Sequence, residues 1–359
     1  MAVFHEHTAL APLTTIGLGG NAKLFVECNT LPDIQEALAL ARRDKLPVHV
    51  LGGGSNTIFA DEGFNGVVIA VRLRGVTFLE DGVVDVAAGE VWDDVVQQVI
   101  ARSLAGIECL SGIPGLVGAT PMQNVGAYGQ DVSEVIESVT AIEQGTGEEV
   151  QFSREECEFS YRGSRFKAKD AGRYIITSVR FRLRPNATPT LRYPQLAERL
   201  RAASNEEPTL TQVRQAVLEL RASKSMVVDS SDPNTKSCGS FFVNPVISNE
   251  HLATLQQTYP DMPFFSGEET PELTAAAEWT KHGVKIPAAW LVEQAGFSKG
   301  MVQDGVGISA NHPLALININ GTTQKLLALA RNIRTTVQEQ FGIKLEQEPI
   351  VIGPAGKVQ

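Results

Sequence analysis

The segments LGGGSN (51–56) and SGIPGLVGATPMQNVGAYG (111–129) are two glycine-rich loops about sixty residues apart. The first follows an apolar, strand-like run from Val48 to Leu51. Its three successive glycines let main-chain N–H groups approach an anion with no Cβ in the way. The loop matches neither GxxxxGK(S/T) nor GxGxxG, so it has no P-loop lysine and no standard dinucleotide fingerprint.

The second loop carries five glycines and two prolines together with the amides of Gln123 and Asn124. Long irregular segments inside a domain are usually functional, and amide side chains can bond the edge of a heterocycle. Two such loops predict a large phosphate-bearing cofactor whose pyrophosphate is held from two sides, mainly by backbone. The alternative is that they are two unrelated tight turns.

Length and composition narrow the class of protein. The chain has 359 residues, enough for two or three domains, and a net charge of −10, which argues against nonspecific nucleic-acid binding. Four scattered cysteines form no CxxC pair, and six scattered histidines show no metal-ligand spacing, so we expect reduced thiols and no metal site. No apolar run reaches membrane-spanning length, and the N-terminus lacks a secretory signal pattern, so we expect a cytoplasmic protein.

Periodicity predicts mixed helices and strands around the loops. Thr30 and Asp33 form a capping-box pattern ahead of apolar residues at helical spacing. The segment 185–190 is predicted to be a linker, and the polar segment 227–240 a mobile loop. The other predicted helices are 92–103, 211–222, 286–295 and 322–341, and the predicted strands include 48–51, 66–71, 135–142, 149–152 and 174–183.

Three short clusters could carry chemistry. Arg162, in FSYRGSRFK, could stabilise an oxyanion or enolate, although a plain surface arginine is the simpler interpretation. Ser240, in CGSFFVNP, could deliver a proton, or it could be a solvent-facing strand serine whose face Cys238 shares. Glu346 and Glu348, in KLEQEPIVIG, could lie on one face of a strand, with at least one of them solvated.

These motifs, in this order and spacing, resemble the UDP-N-acetylenolpyruvoylglucosamine reductases, flavoenzymes that complete UDP-N-acetylmuramate for bacterial peptidoglycan. The resemblance covers nearly the whole chain and implies an α+β protein with a vanillyl-alcohol-oxidase-type (PCMH-type) FAD-binding fold. On this basis residues 1–72, rejoined by 346–359, form FAD-binding subdomain 1. Residues 73–190 form FAD-binding subdomain 2, and residues 191–345 form a C-terminal α+β substrate-binding domain.

The resemblance also implies the chemistry. NADPH reduces non-covalently bound FAD, and the reduced flavin passes hydride to the enolpyruvyl methylene carbon of UDP-N-acetylglucosamine enolpyruvate. Arg162 and Glu348 then stabilise the enolate, and Ser240 protonates it. An ionised Glu348 would repel the enolate, so this carboxyl helps only if protonated or through a partner. From the charge and the hydropathy we expect no nucleic-acid partner and no membrane insertion, and we also expect a monomer.

Individual contacts are carried over from the family in the same way. Tyr193 resembles a mobile tyrosine that closes over the uridine diphosphate in one branch of the family. Val243 departs from the lysine of many relatives, and the loop from Met226 to Ser237 is longer than in compact members. The implied substrate-binding residues are Tyr161, Tyr193, Lys224 and Asn244. The implied FAD-binding residues are Gly52, Gly53, Gly54, Ser55, Asn56, Gly118, Ala119, Thr120, Asn124, Gly126 and Ala127.

Two other functions stay open. One is an alcohol or sugar oxidase of the same fold that uses oxygen; the set of Arg162, Ser240 and Glu348 argues against it. The other is a non-catalytic flavin or nucleotide binder, which would keep the glycine loops but would have no need of Ser240.

Overall fold

The first helix begins where its capping residues predict. In the computed structural model, which describes residues 2–203, 206–266 and 283–358, helix α1 is Leu31–Arg43. Thr30 Oγ1 accepts a hydrogen bond from Asp33 N (3.3 Å), and Asp33 Oδ2 accepts one from Thr30 N (2.9 Å). This reciprocal capping satisfies donors that no helical carbonyl can reach. As predicted from their spacing, the buried face consists of Ile34, Ala37, Leu38 and Ala41.

Six further helices are interspersed among runs of strands in the described residues. The helices after α1 are α2 (Trp92–Ala101), α3 (Pro194–Ala203), α4 (Leu210–Ala222), α5 (Asn249–Gln256), α6 (Ala288–Gln294) and α7 (Thr323–Phe341). The strands are β1 (Phe4–Ala9), β2 (Asn21–Cys28), β3 (Val48–Leu51), β4 (Thr57–Phe59), β5 (Phe64–Val71), β6 (Val76–Phe78), β7 (Val83–Ala87), β8 (Leu104–Ala105), β9 (Gly126–Ala127), β10 (Gln130–Asp131), β11 (Ile136–Glu143), β12 (Glu149–Ser153), β13 (Tyr174–Arg182), β14 (Arg184–Pro185), β15 (Ser237–Ser240), β16 (Val246–Ile247), β17 (Val284–Lys285), β18 (Val302–Gln303), β19 (Val306–Ile308), β20 (Ala315–Asn318), β21 (Ile350–Gly353) and β22 (Gly356–Lys357).

The chain folds into two compact units, and each has its own hydrophobic core. The first unit comprises Met1–Thr8, Ala22–Gly53 and Asn65–Val227. The second comprises Ala9–Asn21, Gly54–Phe64 and Val228–Gln359.

Two sheets and a helix pair build the first unit. A four-stranded sheet has the order β1-β2-β5-β3, with β3 and β5 parallel, and an antiparallel sheet has the order β12-β11-β13-β7-β6. Helix α2 buries Trp92, Val95, Val96 and Val99 in the core that these sheets share. Helices α3 and α4 pack over Cys109 in a smaller apolar cluster of the same unit.

The second unit is built on the sheet β15-β20-β19-β18 and the long helix α7. Thr322 caps the start of this helix, and Gly342 ends it with φ +66°, a left-handed conformation that glycine adopts without strain. Leu329 is buried on its inner face, whereas Leu327 is only partly covered. The pair β21–β4 is parallel, so C-terminal residues pair with residues near the first glycine loop.

The two units differ from the three predicted domains. Residues 191–227, predicted to start the third domain, pack with the first unit, and residues 9–21 and 54–64 pack with the C-terminal part. Asp61 illustrates the second case, because its carboxylate accepts hydrogen bonds from Thr323 N (2.8 Å) and Gln324 N (2.9 Å) at the start of α7. Which segments bind cofactor and which bind substrate stays a prediction.

Several elements differ in detail from their predictions. Strands β1 and β2 were not predicted, although β2 (NAKLFVEC) buries Ala22, Val26 and Cys28 at alternate positions, with Leu24 partly buried between them. Helix α6 is shorter than the predicted segment 286–295. The segment predicted to be a mobile loop contains a short 3₁₀ turn at Pro233–Thr235, where Thr235 is buried and its hydroxyl donates to Asp229 O (2.7 Å).

Candidate active site

Gly53 of the first glycine-rich loop lies against Gly115 of the second, and both residues belong to the first unit. A Cβ added at Gly53 would stand 2.8 Å from Cα of Gly115, so this approach of the two backbones requires glycine. A Cβ at Gly52 would meet only the Ala119 methyl carbon, at 3.9 Å, so the space beside this backbone is otherwise open. The loops therefore form a backbone-lined cradle of the kind that a pyrophosphate requires.

The second loop is held in place by backbone hydrogen bonds to residues 88 and 90, just after β7, and by one bond within the loop. Val117 N donates to Glu90 O and Gly118 N to Ala88 O, both at 2.9 Å. The hydroxyl of Thr120 donates to Val117 O (2.8 Å), and Thr120 is buried, whereas Ala119 is exposed. Of Gly118, Ala119 and Thr120, Ala119 is thus the residue with an exposed side chain.

Asn124 holds the loop together. Its Nδ2 donates to Ser160 O and its Oδ1 accepts from Ser133 N, both at 3.1 Å. The residue is 0% exposed and has φ +46°, a conformation that asparagine tolerates better than most residues. Since no surface of the side chain is available to a ligand, we interpret Asn124 as a positioning residue rather than a direct side-chain contact to cofactor.

A tight hairpin ends the second loop. Strands β9 and β10 pair with Asp131 opposite Gly126, and the two turn residues Tyr128 and Gly129 have φ +49° and +80°. Positive φ at both central residues is the mark of a type I′ turn, whose twist matches that of paired strands. A Cβ at Gly126 would collide with the Asp131 carboxylate and approach Arg162 Nη1 at 2.9 Å, so glycine is required there.

Arg162 is fixed against this hairpin. It stands in a turn closed by reciprocal bonds between Ser160 and Gly163, and its φ of +54° is uncommon for a residue with a Cβ. Its Nη2 donates to Gly126 O (2.6 Å), and its Nη1 lies 3.8 Å from Asp131 Oδ1. The Arg162 guanidinium carbon also lies 5.4 Å from the centre of the Tyr161 ring. Such a held cation is suited to meeting developing negative charge.

The other predicted substrate residues of the first unit surround the hairpin turn and the end of α4. Tyr193 packs edge-on against Tyr128, with ring centres 5.3 Å apart. Lys224 is half-buried, and burial, followed by the charge of Arg221, lowers the pKa of its ammonium. Arg221 is itself buried, and its Nη2 donates to Met226 O (2.7 Å). Two desolvated cations so near each other favour an anionic ligand.

Ser240 and Glu348 belong to the second unit. Ser240 ends strand β15 half-buried, after Gly239 at φ +74°. Glu348 N donates to Phe241 O (2.9 Å), and Val243 N donates to Glu346 O (3.0 Å), so 241–243 and 346–348 run as paired extended segments. Glu348 is half-buried, whereas Glu346 is exposed, as expected for at least one of the pair.

Two asparagines, Asn56 and Asn244, hydrogen-bond to the backbone close to Glu348 and Ser240 in the sequence. Asn56 Nδ2 donates to Glu348 O (3.3 Å), and Asn56 O accepts from Ile350 N (2.9 Å), so the first glycine loop is tied to the segment of Glu348. Asn244 Oδ1 accepts from Ala288 N (2.8 Å) and caps helix α6, whose N-cap residue Pro287 offers no side-chain acceptor.

Cys238 does not compete with Ser240 for chemistry. Burial raises the pKa of the Cys238 thiol to about 12, so it stays protonated at neutral pH and is a poor nucleophile. The left-handed Gly239 and a register irregularity between Ser237 and Ser240 interrupt regular strand alternation between the two side chains.

Three site residues were not predicted from the sequence: Asp131, Glu134 and Arg192. Asp131 and Glu134 form a capping box at the start of a short 3₁₀ turn. The pattern of an acidic N-cap followed three residues later by glutamate was readable in the sequence and could have identified both. Arg192 immediately precedes Tyr193, and nothing local distinguishes it from other arginines.

Among the residues that the structure describes, no group of three or more potential ligands could hold a metal ion, and no helix has the length and apolarity needed to cross a membrane. The α+β sheets, the glycine cradle and the cation fixed against the end of the second loop define the class of protein, a flavoprotein of the vanillyl-alcohol-oxidase-type (PCMH-type) fold. Residues 22–153 match the family model of an FAD binding domain, and the open space beside Gly52 fits FAD as the cofactor.

The remaining comparisons identify the family. Residues 232–352 match the model of the UDP-N-acetylenolpyruvoylglucosamine reductase C-terminal domain. The reductase of that name from Thermobifida fusca is 44% identical over 98% of both chains, and that from Streptomyces coelicolor is 43% identical over 96% of this chain and 89% of its own. The chain therefore belongs to the UDP-N-acetylenolpyruvoylglucosamine reductase family.

A solved structure supports the fold independently. The crystal structure of UDP-N-acetylenolpyruvylglucosamine reductase from Thermus caldophilus aligns over 98% of both chains, with a TM-score of 0.63 and 24% identity. At that identity the likeness concerns the fold alone, and with the FAD-domain match it confirms the predicted fold class.

Proposed function

We propose that this chain is an NADPH-dependent flavoenzyme that reduces the enolpyruvyl group of UDP-N-acetylglucosamine enolpyruvate and yields UDP-N-acetylmuramate for peptidoglycan. The observation that carries the proposal is the family match at both ends of the chain, an FAD-binding part and a reductase-specific C-terminal part. When bound, FAD accepts hydride from NADPH and supplies it to the enolpyruvyl methylene carbon. The protein's own residues must position the substrate and manage the charge and proton at the adjacent carbon.

Arg162 meets the charge. Once the methylene carbon has gained hydride, negative charge builds on the α-carbon and spreads into the carboxylate as an enolate. A guanidinium held by Gly126 O and by the turn from Ser160 to Gly163 needs little reorganisation to face that charge. One preorganised donor of this kind is worth about 3–4 kcal/mol of barrier.

Ser240 supplies the proton in this proposal. Its hydroxyl is half-buried at the end of a strand, where the left-handed Gly239 sets the backbone. A proton donated to the α-carbon completes the reduction and contributes about 10²–10⁴ in rate. Glu348, held by its backbone bond to Phe241, assists Arg162 at the enolate.

Substrate contacts follow the same logic. The half-buried ammonium of Lys224 beside the buried Arg221 suits a diphosphate, and the Tyr193 ring packed on Tyr128 suits a base or sugar face. Tyr161 and Asn244 complete the proposed substrate set. Among the cofactor residues, we assign Gly52, Gly53, Gly54, Ser55 and Asn56 to one side of FAD, and Gly118, Ala119, Thr120, Gly126 and Ala127 to the other.

We also infer that the protein acts in the cytoplasm as a monomer. The four cysteines are free and buried, which is typical of a protein kept in a reducing compartment.

The decisive test separates the two half-reactions in the variant Ser240→Ala. Under anaerobic conditions NADPH should bleach the flavin of this variant as fast as in wild type. Addition of the enolpyruvyl sugar should give product at least about a hundredfold more slowly, because only the proton donor is missing. Ser298→Ala, which alters an exposed serine of the same unit, is the matched control and should behave as wild type.

Each outcome has a defined meaning. Turnover that survives in Ser240→Ala would refute the proton-donor role. A wild-type flavin that bleaches with NADPH but is not reoxidised by the enolpyruvyl sugar would refute the substrate. Oxygen uptake with a simple sugar would identify an oxidase instead.

A further inference from the structure

Arg192, which precedes the proposed substrate tyrosine Tyr193, is fastened to the second glycine loop. Its Nη1 donates to Gly129 O (3.2 Å) and to Glu134 Oε1 (2.8 Å). The side chains of Arg192 and Glu134 are only 22% and 17% exposed, so solvent and salt screen this ion pair less than a surface pair. A Cβ on Gly129 would stand 2.8 Å from Cβ of Arg192, which shows how closely the two segments pack.

Glu134 connects Arg192 to Asp131, which lies next to Arg162. The same Oε1 accepts a hydrogen bond from Asp131 N (3.2 Å) in the capping box of the short turn. The Asp131 carboxylate lies 3.8 Å from the Arg162 guanidinium, and Asp131 pairs across the hairpin with Gly126, whose carbonyl accepts from Arg162. An unbroken set of polar contacts therefore joins Arg192 to Arg162.

The hairpin 126–131 has a contact at each end. At its turn, Tyr128 packs against Tyr193, and Gly129 packs against Arg192. At its open end, Gly126 and Asp131 contact Arg162. A hairpin with two-residue strands is marginal by itself, so contacts outside it must fix its position.

We propose that Arg192 and Glu134 are positioning residues for the reduction, which lock the Tyr193 segment onto the hairpin 126–131 and thereby set the Arg162 guanidinium. The inference rests on the proposed function, which gives Arg162 the enolate and Tyr193 the nucleotide. A misplacement of about 1 Å can cost as much as a hundredfold in rate. The effect is confined to the sugar half-reaction, because flavin reduction by NADPH generates no enolate.

The first experiment compares Arg192→Met with Arg199→Met. The control breaks the exposed ion pair between Arg199 and Glu219, with side chains 47% and 45% exposed in the same unit. Arg192→Met should lower kcat/KM for the enolpyruvyl sugar by about 10- to 100-fold and change flavin reduction by NADPH less than about twofold. Arg192→Lys should restore part of the loss, since an ammonium can still bond one acceptor. Arg199→Met should behave as wild type.

A double-mutant cycle tests whether Arg192 and Asp131 act through the same hairpin. The double variant Arg192→Met/Asp131→Asn should lose less kcat/KM than the product of the two single fold-losses. In Arg199→Met/Asp131→Asn the fold-losses of the two single variants should simply multiply. The proposal is overturned if the fold-losses of Arg192→Met and Asp131→Asn also multiply. It is likewise overturned if Arg192→Met slows flavin reduction and the sugar half-reaction by the same factor, which indicates a merely structural role.

A spectroscopic measurement tests the positioning without turnover. The ¹⁵N–¹H signal of the Arg162 side-chain Nε, assigned by its loss in Arg162→Lys, should shift or broaden in Arg192→Met and in Glu134→Gln but not in Arg199→Met. An unchanged signal in both variants refutes the positioning role. Failure of the wild-type enzyme to use the enolpyruvyl sugar would instead count against the proposed function, and the Arg162 signal would still decide the present inference.

Discussion

At the scale of single residues, Arg162 combines backbone strain with a fixed side chain. A left-handed conformation costs a residue with a Cβ roughly 1–2 kcal/mol relative to its usual regions. The turn from Ser160 to Gly163 and the bond to Gly126 O hold it there. Strain kept where a charged side chain is held against the second glycine loop is typical of a functional site.

Two substitutions at residue 162 distinguish the effect of its strained backbone from the effect of its guanidinium charge. Arg162→Ala and Arg162→Gly should both lower turnover of the enolpyruvyl sugar by about 10²–10³, with bound FAD and flavin reduction by NADPH unchanged. Arg162→Gly should be about 1 kcal/mol more stable than Arg162→Ala, because glycine adopts positive φ without strain. Urea unfolding and stopped-flow absorbance measure the two effects. Equal stability of the two variants would contradict backbone strain at residue 162. Loss of bound FAD would contradict the role of Arg162 at the enolate.

At the scale of secondary-structure elements, Asp93 joins α2, α4 and the second glycine loop. Its carboxylate accepts two bonds from Arg214 (2.6 and 2.7 Å) and one from Gly112 N (2.6 Å). Burial by itself would raise the pKa of Asp93, but the hydrogen bonds from Arg214 and Gly112 outweigh it and hold the pKa below its ordinary value. Together with the apolar cluster around Cys109, the contact holds residues 191–227 to the rest of the first unit.

The pH dependence of this contact has a defined sign. A carboxyl with a lowered folded-state pKa adds stability above its unfolded pKa of about 3.9, and that stability is lost as pH falls through the folded value. Asp93→Asn should therefore reduce the free energy of unfolding by about 1.5–3 kcal/mol at pH 7, and the difference from wild type should shrink below about pH 4. Asp94→Asn, at an exposed neighbouring position of α2, is the control and should stay close to wild type in urea unfolding. A difference that persists unchanged to pH 3 would contradict the assignment.

At the scale of the whole molecule, each unit is assembled from segments far apart in the chain. Residues 9–21 reach the second unit through bonds such as Asn318 Nδ2 to Ile16 O (3.0 Å), and residues 54–64 reach it through Asp61 at the start of α7. The first glycine loop crosses this division, since Gly53 belongs to the first unit and Gly54 to the second.

FAD should raise the midpoint of thermal unfolding, because a ligand that binds only the folded state adds about 2.7 kcal/mol at a hundred times its Kd. In Gly53→Ala, FAD should no longer raise the thermal midpoint. The added methyl would lie 2.8 Å from Cα of Gly115 and would push the two loops apart. Gly145→Ala, where a Cβ meets nothing within 4 Å, should keep the increase. Calorimetry with and without FAD measures both shifts. Unchanged FAD affinity in Gly53→Ala would argue against the cradle.

The sequence by itself determined the features that act over a few residues. The capping box at Thr30, the left-handed stop at Gly342 and the alternation of the long strands are local, because each depends on neighbours within one turn or one pleat. The glycine loops and the short motifs were also readable, and they sufficed for the family, the fold class and the candidate residues Arg162, Ser240 and Glu348.

Only the tertiary structure decided which distant segments meet. It put Gly53 against Gly115, bonded Arg214 of α4 to Asp93 of α2, buried the amide of Asn124 and joined Arg192 to Arg162 through the hairpin. These pairings connect residues tens of positions apart, so no local pattern encodes them. They form because folding must bury the apolar faces and pair the polar groups of the whole chain at once.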